Sequence, residues 1–305
     1  MQIAMIGLGR MGGNMARRLQ KGGAKVVGFN RSFEVTKNLA RECGISAAAN
    51  LRDALDALPQ PRIVWMMLPA GEPTETTIKE LTPLLAKKDI VIDGANAFYK
   101  DSIRRAAYFK ERDIGFVDAG VSGGVWGLEN GYALMLGGEN LAIEQLTPFI
   151  KILAPAPDRG WLHCGPAGSG HYVKMIHNGI EYGMMQALAE GLALLRSRKD
   201  FNLDLAQVTE MWRHGSVVRS WLLDLTAQFL KEDQALSDIQ PLVADSGEGR
   251  WTAMEAIEQG VPTPVMSLAL MMRFASQGKN DYTAKLLAMM RKGFGGHAVS
   301  TGEKK

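Results

Sequence analysis

The first twelve residues constrain the chain more than any other stretch. Ile3-Ala4-Met5-Ile6 is an apolar run of strand type that passes directly into Gly7-Leu8-Gly9-Arg10-Met11-Gly12, and a helical pattern follows over residues 13–20. A strand that enters a helix through G-x-G-x-x-G is the phosphate-binding turn of a dinucleotide fold. The first glycine permits the tight turn, the second lets the backbone approach a pyrophosphate, and the third lets the helix pack on the strand. The phosphates would rest at the helix N-terminus, where unpaired N–H groups and the helix dipole favour an anion. Alone, the glycines could mark only a turn; the strand before them and the helix after them select cofactor binding. Gly7, Leu8, Gly9, Arg10, Met11 and Gly12 are therefore the first cofactor residues.

The second strand, Lys25–Phe29, ends at Asn30-Arg31-Ser32, where an NAD-binding fold usually carries a carboxylate for the ribose 2′-hydroxyl. No carboxylate stands there. Arg31 can pair with a 2′-phosphate, and Asn30 and Ser32 can donate hydrogen bonds to it. This predicts NADP, with NAD possible, because Arg31 could instead stack on an adenine or cap a turn. Leu68, just past the third strand, is taken as a further cofactor contact.

The rest of the first half repeats the same grammar. Strand-like runs at Gln2–Ile6, Lys25–Phe29, 62–67, Ile90–Asp93 and 115–119 alternate with amphipathic stretches, the pattern of βαβ units and a doubly wound, mostly parallel sheet. After Cys164 the strand runs stop. Helical spacing fills 168–198, 203–214, 218–230, 249–259, 264–277 and 282–291, so an all-α C-terminal domain is expected. The Pro- and Gly-rich segment 155–170 separates the two, giving a dinucleotide-binding Rossmann domain at 1–164 and a helical substrate-binding and oligomerisation domain at 165–305. A length of 305 residues suits two such domains. Met184, Met185, Met271, Met272, Met289 and Met290 read as core or subunit-interface filling, and residues 300–305 as a loose tail.

Composition excludes several classes. The 35 basic and 32 acidic residues are spread without a basic stripe, so no nucleic-acid partner is expected. Cys43 and Cys164 are too few and too far apart for a metal site or a disulfide framework and read as packing residues, so no metal is expected. With no room for a signal peptide before the first strand and no apolar run of membrane-spanning length, a cytoplasmic chain without a membrane partner is expected.

The most informative stretch is Gly168-Ser169-Gly170-His171-Tyr172-Val173-Lys174-Met175-Ile176-His177-Asn178-Gly179-Ile180-Glu181-Tyr182. On a helix, Lys174, His177, Asn178 and Glu181 project from one face, at i, i+3, i+4 and i+7. They could form a solvated stripe. Apolar residues flank them, however, and a semi-buried lysine has its ammonium form disfavoured, which frees the amine as a base and leaves Glu181 to act as an acid.

This stretch resembles the 6-phosphogluconate dehydrogenases, whose helix has the form G-x-G-H-x-V-K-M-x-H-N-G-I-E-Y. Every defined position is present, and the likeness extends over essentially the whole chain, in the manner of the family's shorter branch. Ile92-Asp93-Gly94-Ala95-Asn96 resembles D-G-G-N and implies Asn96 as a contact to substrate and nicotinamide. Val121-Ser122-Gly123-Gly124 resembles V-S-G-G and implies that Ser122, Gly123 and Gly124 hold the substrate carboxylate. Gly249-Arg250-Trp251-Thr252 resembles G-K-W-T. The resemblance further implies His177 and Tyr182 as substrate contacts, Asn178 as the group orienting the reacting hydroxyl, Arg273 as a phosphate ligand, and Arg291 and His297 as ligands reaching a neighbouring subunit's site in a homodimer or homotetramer. One departure stands out: Ser246 and Glu248 occupy positions where longer members carry Lys and Thr for the phosphate.

The implied reaction is the oxidative decarboxylation of 6-phosphogluconate, with Lys174 as base and Glu181 as acid. Two rivals are a β-hydroxyacid dehydrogenase of the same superfamily, acting on 3-hydroxyisobutyrate or tartronate semialdehyde, and a non-catalytic NADP-binding protein. The first typically lacks the His-Asn-Gly-Ile-Glu-Tyr continuation and the arginine pair, and the second would have no reason to retain both Lys174 and Glu181.

Overall fold

A strand covered by helices on both faces is apolar along its whole length, and the strands β4 (Ile63–Met66) and β5 (Ile90–Asp93) are buried at every position. In the computed structural model, which describes residues 1–295 and residue 298, they stand at the centre of an eight-stranded sheet. Its elements in chain order are β1 (Gln2–Ile6), α1 (Arg10–Lys21), β2 (Lys25–Phe29), α2 (Phe33–Cys43), β3 (Ser46–Ala47), α3 (Leu51–Asp56), β4, α4 (Glu72–Leu81), β5, α5 (Tyr99–Lys110), β6 (Gly115–Ser122), α6 (Gly127–Asn130), β7 (Ala133–Gly138), α7 (Asn140–Leu153) and β8 (Trp161–Gly165). The spatial order is β3-β2-β1-β4-β5-β6-β7-β8, parallel throughout except for the antiparallel pair β6 and β7.

Successive side chains of a strand point to opposite faces, and the core divides accordingly. Ile3 and Met5 of β1 pack with Met15 and Leu19 of α1 and Leu146 and Phe149 of α7, whereas Ala4 and Ile6 pack with Leu55 of α3, Ile78 of α4 and Phe109 of α5. The chain reverses its direction of sheet growth between β1 and β4, and ligands of open α/β sheets bind at the carboxyl ends of strands around such a point.

Three strands escape the sequence reading. β3 has only two residues, both exposed. β7 lacks β-branched residues and ends in two glycines, and β8 lies inside the segment read as a domain boundary. β6 runs on to Ser122, beyond the expected residue 119, because Ser122 pairs with Ala133 across the antiparallel ladder.

The chain forms two compact units, Met1–Ile176 and His177–Lys305, and the division falls within the 29-residue helix α8 (Ser169–Ser197). Beyond α8 the second unit comprises α9 (Leu205–Trp212), α10 (Trp221–Glu232), α11 (Glu248–Gln259), α12 (Pro264–Ser276) and α13 (Asp281–Gly295), with no strand among the described residues. Leu192 of α8 packs with Leu205 and Leu230, and Tyr182 packs with Ala269 and Leu270. The six methionines are not core residues: all are between 39% and 54% exposed. His297 and residues 300–305 lie outside the described residues. No described helix is long and apolar enough to cross a membrane. Burial pushes the thiols of Cys43 and Cys164 up from their ordinary value, in keeping with packing roles.

Tyr132, at the entry to β7, is fully buried against Gly123 and Gly127, and its hydroxyl has no hydrogen-bond partner among the described residues. Burial pushes its phenol up to about 12. The folded chain therefore keeps this proton where the unfolded chain loses it, near its ordinary value of 10.0. The neutral phenol's contribution to stability is full below that value and lost as pH rises towards about 12. Tyr132→Phe should leave stability at neutral pH unchanged or raise it by up to about 1 kcal/mol, and should lessen the alkaline loss. Urea midpoints of both proteins at neutral pH and near pH 11 check this; a variant markedly weaker at neutral pH would contradict it.

Candidate active site

At the end of β1 the three glycines of the turn separate by physical cause. Gly7 has φ of 90°, and a Cβ there would overlap the Met67 carbonyl; a Cβ on Gly12 would overlap the Gly7 carbonyl. The packing of the chain itself forces both. Gly9 caps α1, and a Cβ built on it meets nothing within 4 Å. Its bare backbone leaves an open cradle at a helix N-terminus, which fits a pyrophosphate. Gly9 and Arg10 are exposed, Met11 is partly buried, and Leu8 is buried with its N–H donated to Asn30 Oδ1 at 3.0 Å. Asn30 therefore pins the turn, a role the sequence reading missed. Its Nδ2 reaches the Ser32 carbonyl at 3.4 Å, and Arg31 and Ser32 are exposed beside it. Leu68 packs over Gly7, with Cδ2 2.9 Å from where a Cβ would lie.

Past β5, Asp93 Oδ1 accepts the Ala95 N–H at 3.0 Å and shapes the turn that presents the exposed Asn96. Asp93 Oδ2 accepts from Arg105 Nη1 at 2.5 Å, and Arg105 Nε and Nη2 donate to Glu75 Oε1 at 3.0 and 2.7 Å. Arg105 and Asp93 are 1% and 0% exposed. Arg104 and then Arg105 hold the Glu75 carboxyl below its usual range. Because α4 follows the Leu68 loop, this triad, with its buried Arg105–Asp93 pair and half-buried Glu75, ties that loop to the Asn96 turn. Past β6, Gly123 and Gly124 have φ of 140° and 52°, a backbone that side chains rarely adopt, so the Ser122 loop also needs its glycines.

Beside that loop the first turn of α8 lies on the sheet. A Cβ on Gly170 would overlap the Met135 carbonyl, and one on Gly120 would overlap the Lys174 Cβ. Asp118, fully buried on β6, accepts the N–H of Gly168 at 2.6 Å and of His171 at 2.8 Å and so caps the helix. His171 is buried, with Nδ1 2.7 Å from Ser102 Oγ of α5. Half-buried Lys174 thus leaves the helix across Gly120, two residues before Ser122.

In the second unit, α8 continues with His177, Asn178 and Glu181, all half-buried. His177 Nδ1 lies 3.0 Å from Asn178 Oδ1 and 3.9 Å from Glu181 Oε2. Asn178 Nδ2 donates to Glu248 Oε1 at 3.1 Å. Arg273 stacks on the Tyr182 ring at 3.4 Å and donates to the Ala244 carbonyl at 2.8 Å, and Ser246 N donates to the Tyr182 hydroxyl at 3.4 Å. Arg291 is exposed on α13. Among the described residues no cluster of three or more His, Cys, Asp or Glu could hold a metal ion.

Residues 2–164 match the family model described as the NAD binding domain of 6-phosphogluconate dehydrogenase, and residues 170–303 match that of its C-terminal domain. The chain is 40% identical over 301 residues to the NAD(+)-dependent, decarboxylating 6-phosphogluconate dehydrogenase of Haloferax volcanii, covering 98% of this chain and 99% of that one. It is similar in structure to Plasmodium falciparum 6-phosphogluconate dehydrogenase, with a TM-score of 0.85, 30% identity and coverage of 100% of this chain and 67% of that one. A Mycobacterium tuberculosis 3-hydroxyisobutyrate dehydrogenase shares the fold, with a TM-score of 0.72, 22% identity and coverage of 92% and 94%.

Removing one partner of a buried ion pair strands the other charge, whereas an exposed pair contributes little. Arg105→Met should therefore cost about 3–5 kcal/mol. Arg104→Met, at a side chain 57% exposed on the same Glu75, should cost under about 1 kcal/mol. Denaturant midpoints with unchanged slopes measure both; equal costs would contradict the assignment of the triad as the buried tie.

Proposed function

The chain belongs to the 6-phosphogluconate dehydrogenase family, and from that premise we propose that it oxidises and decarboxylates 6-phospho-D-gluconate to D-ribulose 5-phosphate and CO2, with NADP as its preferred cofactor and NAD as the lesser one. The observation that carries this reading is the path of Lys174 out of α8 across Gly120, beside the Ser122-Gly123-Gly124 loop, on the helix that also bears His177, Asn178 and Glu181.

The bound nicotinamide supplies the hydride acceptor. Lys174 takes the proton of the C3 hydroxyl as C3 loses its hydride, leaving a 3-keto acid. Loss of CO2 from that β-keto acid leaves an enediolate, whose negative charge the protonated Lys174 stabilises. Glu181 then delivers a proton to the carbon that lost CO2, the former C2, which becomes C1 of ribulose 5-phosphate. Asn178 orients the reacting hydroxyl, His177 and Tyr182 bind the substrate, Asn96 contacts substrate and nicotinamide, and Ser122 with the amides of Gly123 and Gly124 holds the carboxylate. Arg273 binds the phosphate, and Glu248 is no phosphate ligand. Gly7 to Gly12, Asn30 to Ser32, Leu68 and Asn96 bind the cofactor, with Arg31 on the 2′-phosphate. The work is divided at residues 164 and 165.

The enzyme acts as a homodimer or homotetramer in the cytoplasm, within the pentose phosphate pathway, with Arg291 and His297 completing a neighbouring subunit's site. The exposed methionines of α8, α12 and α13, with Val265 at 66% and Leu287 at 55%, support such an assembly.

NADPH should appear on addition of 6-phosphogluconate, followed by absorbance, and Lys174→Met should lower kcat by about 10²–10⁴-fold with NADP affinity unchanged. Turnover of 3-hydroxyisobutyrate instead, or a fully active Lys174 variant, would overturn the reading. Arg31→Ala should weaken NADP by about 10- to 100-fold, the loss of a hydrogen bond to a charged group, and barely affect NAD; an equal loss for both, read by titration, would remove Arg31 from the 2′-phosphate.

A further inference from the structure

We propose that Glu248 is a positioning residue for this reaction: its carboxylate fixes the side-chain amide of Asn178 and, through that amide, the tautomer of His177. The inference rests on the reading above only in assigning Asn178 and His177 to the site.

Glu248 opens α11, where an acid is favoured by the helix dipole and is ordinarily solvated. Here it is 2% exposed, and it reaches across to α8 to accept from Asn178 Nδ2 at 3.1 Å. Its Oε2 is buried without a partner among the described residues. Leaving such an atom unpaired is unfavourable, a cost that an apolar side chain at the same helix start would avoid.

The chemistry of the three groups fixes the proton positions. Asn178 donates through Nδ2 to Glu248 Oε1 at 3.1 Å, so the end of the amide facing Glu248 is the NH2 group. The amide oxygen therefore faces His177 Nδ1, at 3.0 Å. That oxygen only accepts, so Nδ1 of His177 carries a proton, and in the neutral ring Nε2 is left with its lone pair. Glu181 Oε2, at 3.9 Å from Nδ1, is beyond hydrogen-bond length and does not set this arrangement alone. Were the Asn178 amide reversed, Nδ1 would become the acceptor and Nε2 the donor. Glu248 thereby decides whether His177 presents an acceptor or a donor to a sugar hydroxyl, and it acts from 70 residues away in the sequence.

The test is an NMR measurement on the full chain, with ¹⁵N-labelled histidine above the histidine titration range. Of the five histidines, the His177 signals are those lost in His177→Gln. Long-range ¹H–¹⁵N correlations should show a protonated Nδ1 and an unprotonated Nε2 in the native protein. Glu248→Gln can still turn an oxygen towards Asn178 and should keep that pattern. Glu248→Ala should move His177 towards the Nε2-protonated form and lower kcat by about 10- to 100-fold, the loss that slight misplacement of a site group brings, with KM within a few-fold. Where the alanine variant fails to fold, Glu248→Thr keeps an oxygen at the helix start but is too short to reach the amide, and it carries the same expectation. A native Nε2-protonated ring, or the same tautomer with and without Glu248, would overturn the proposal whatever substrate the enzyme turns over.

Discussion

The contact between the first turn of α8 and the backbones of β6 and β7 governs where the chemistry of the first unit can stand. Gly137 and Gly170 face each other there so closely that a Cβ on Gly137 would lie 2.7 Å from the Gly170 nitrogen, and Gly120 leaves the groove through which the stem of Lys174 passes. Only glycine allows a helix to lie on strand backbone in this way. The buried carboxylate of Asp118 completes the arrangement by accepting two N–H groups of that turn. Its carboxyl is nonetheless pushed up from the usual range, so desolvation outweighs the combined effect of His171 and those two bonds. What Asp118 secures by accepting those two N–H groups is the register of the helix, hence the position of Lys174.

The same glycines explain what the sequence made legible. The central strands and the G-x-G-x-x-G turn depend on local periodicity and on neighbours within a few residues, so they read out directly. β7 did not, because Gly137 and Gly138, which the packing around α8 and β6 requires, erase its strand signature. β8 was hidden among prolines and glycines, with Leu162 64% exposed at the sheet edge. On α8 the spacing of Lys174, His177, Asn178 and Glu181 was evident because one helix carries all four. The contacts of Arg105 and Glu248 were not, because their partners are brought to them only by folding: Glu75 lies 30 residues from Arg105, and Asn178 lies 70 from Glu248.

A sequence pattern also treats as equal what the structure separates. Gly7 and Gly12 are required by the chain's own atoms, whereas Gly9 meets none of them. What sets Gly9 apart is its place: it caps α1 with an open backbone at the helix N-terminus. The amide oxygen of Asn30 accepts the Leu8 N–H, so that the end of β2 stiffens the turn at the end of β1, while the NH2 group at its other end faces the Ser32 carbonyl. Arg31 and Ser32 beside it remain exposed.

In the second unit, Arg273 illustrates how a long cationic side chain is held in place by its neighbours. A guanidinium has five N–H donors and two flat faces. One face of Arg273 lies on Tyr182, Nη1 is bound to the Ala244 carbonyl, and Nη2 rests 3.8 Å from the Met185 sulfur. The long side chain is thereby held in one orientation with donors to spare. Ordering such a chain only on binding would cost about 0.5–1.5 kcal/mol, and the stack on Tyr182 removes part of that cost in advance. The Tyr182 hydroxyl in turn takes the Ser246 N–H, which ties the loop ahead of α11 to the same ring. The segment carrying Ser246 and Glu248 is therefore braced against α8: Ser246 against Tyr182 and Glu248 against Asn178. Glu248 lends that segment no positive charge, and the described cations beside it include Arg273, held on Tyr182, and Arg250, paired with Asp245 of the same loop.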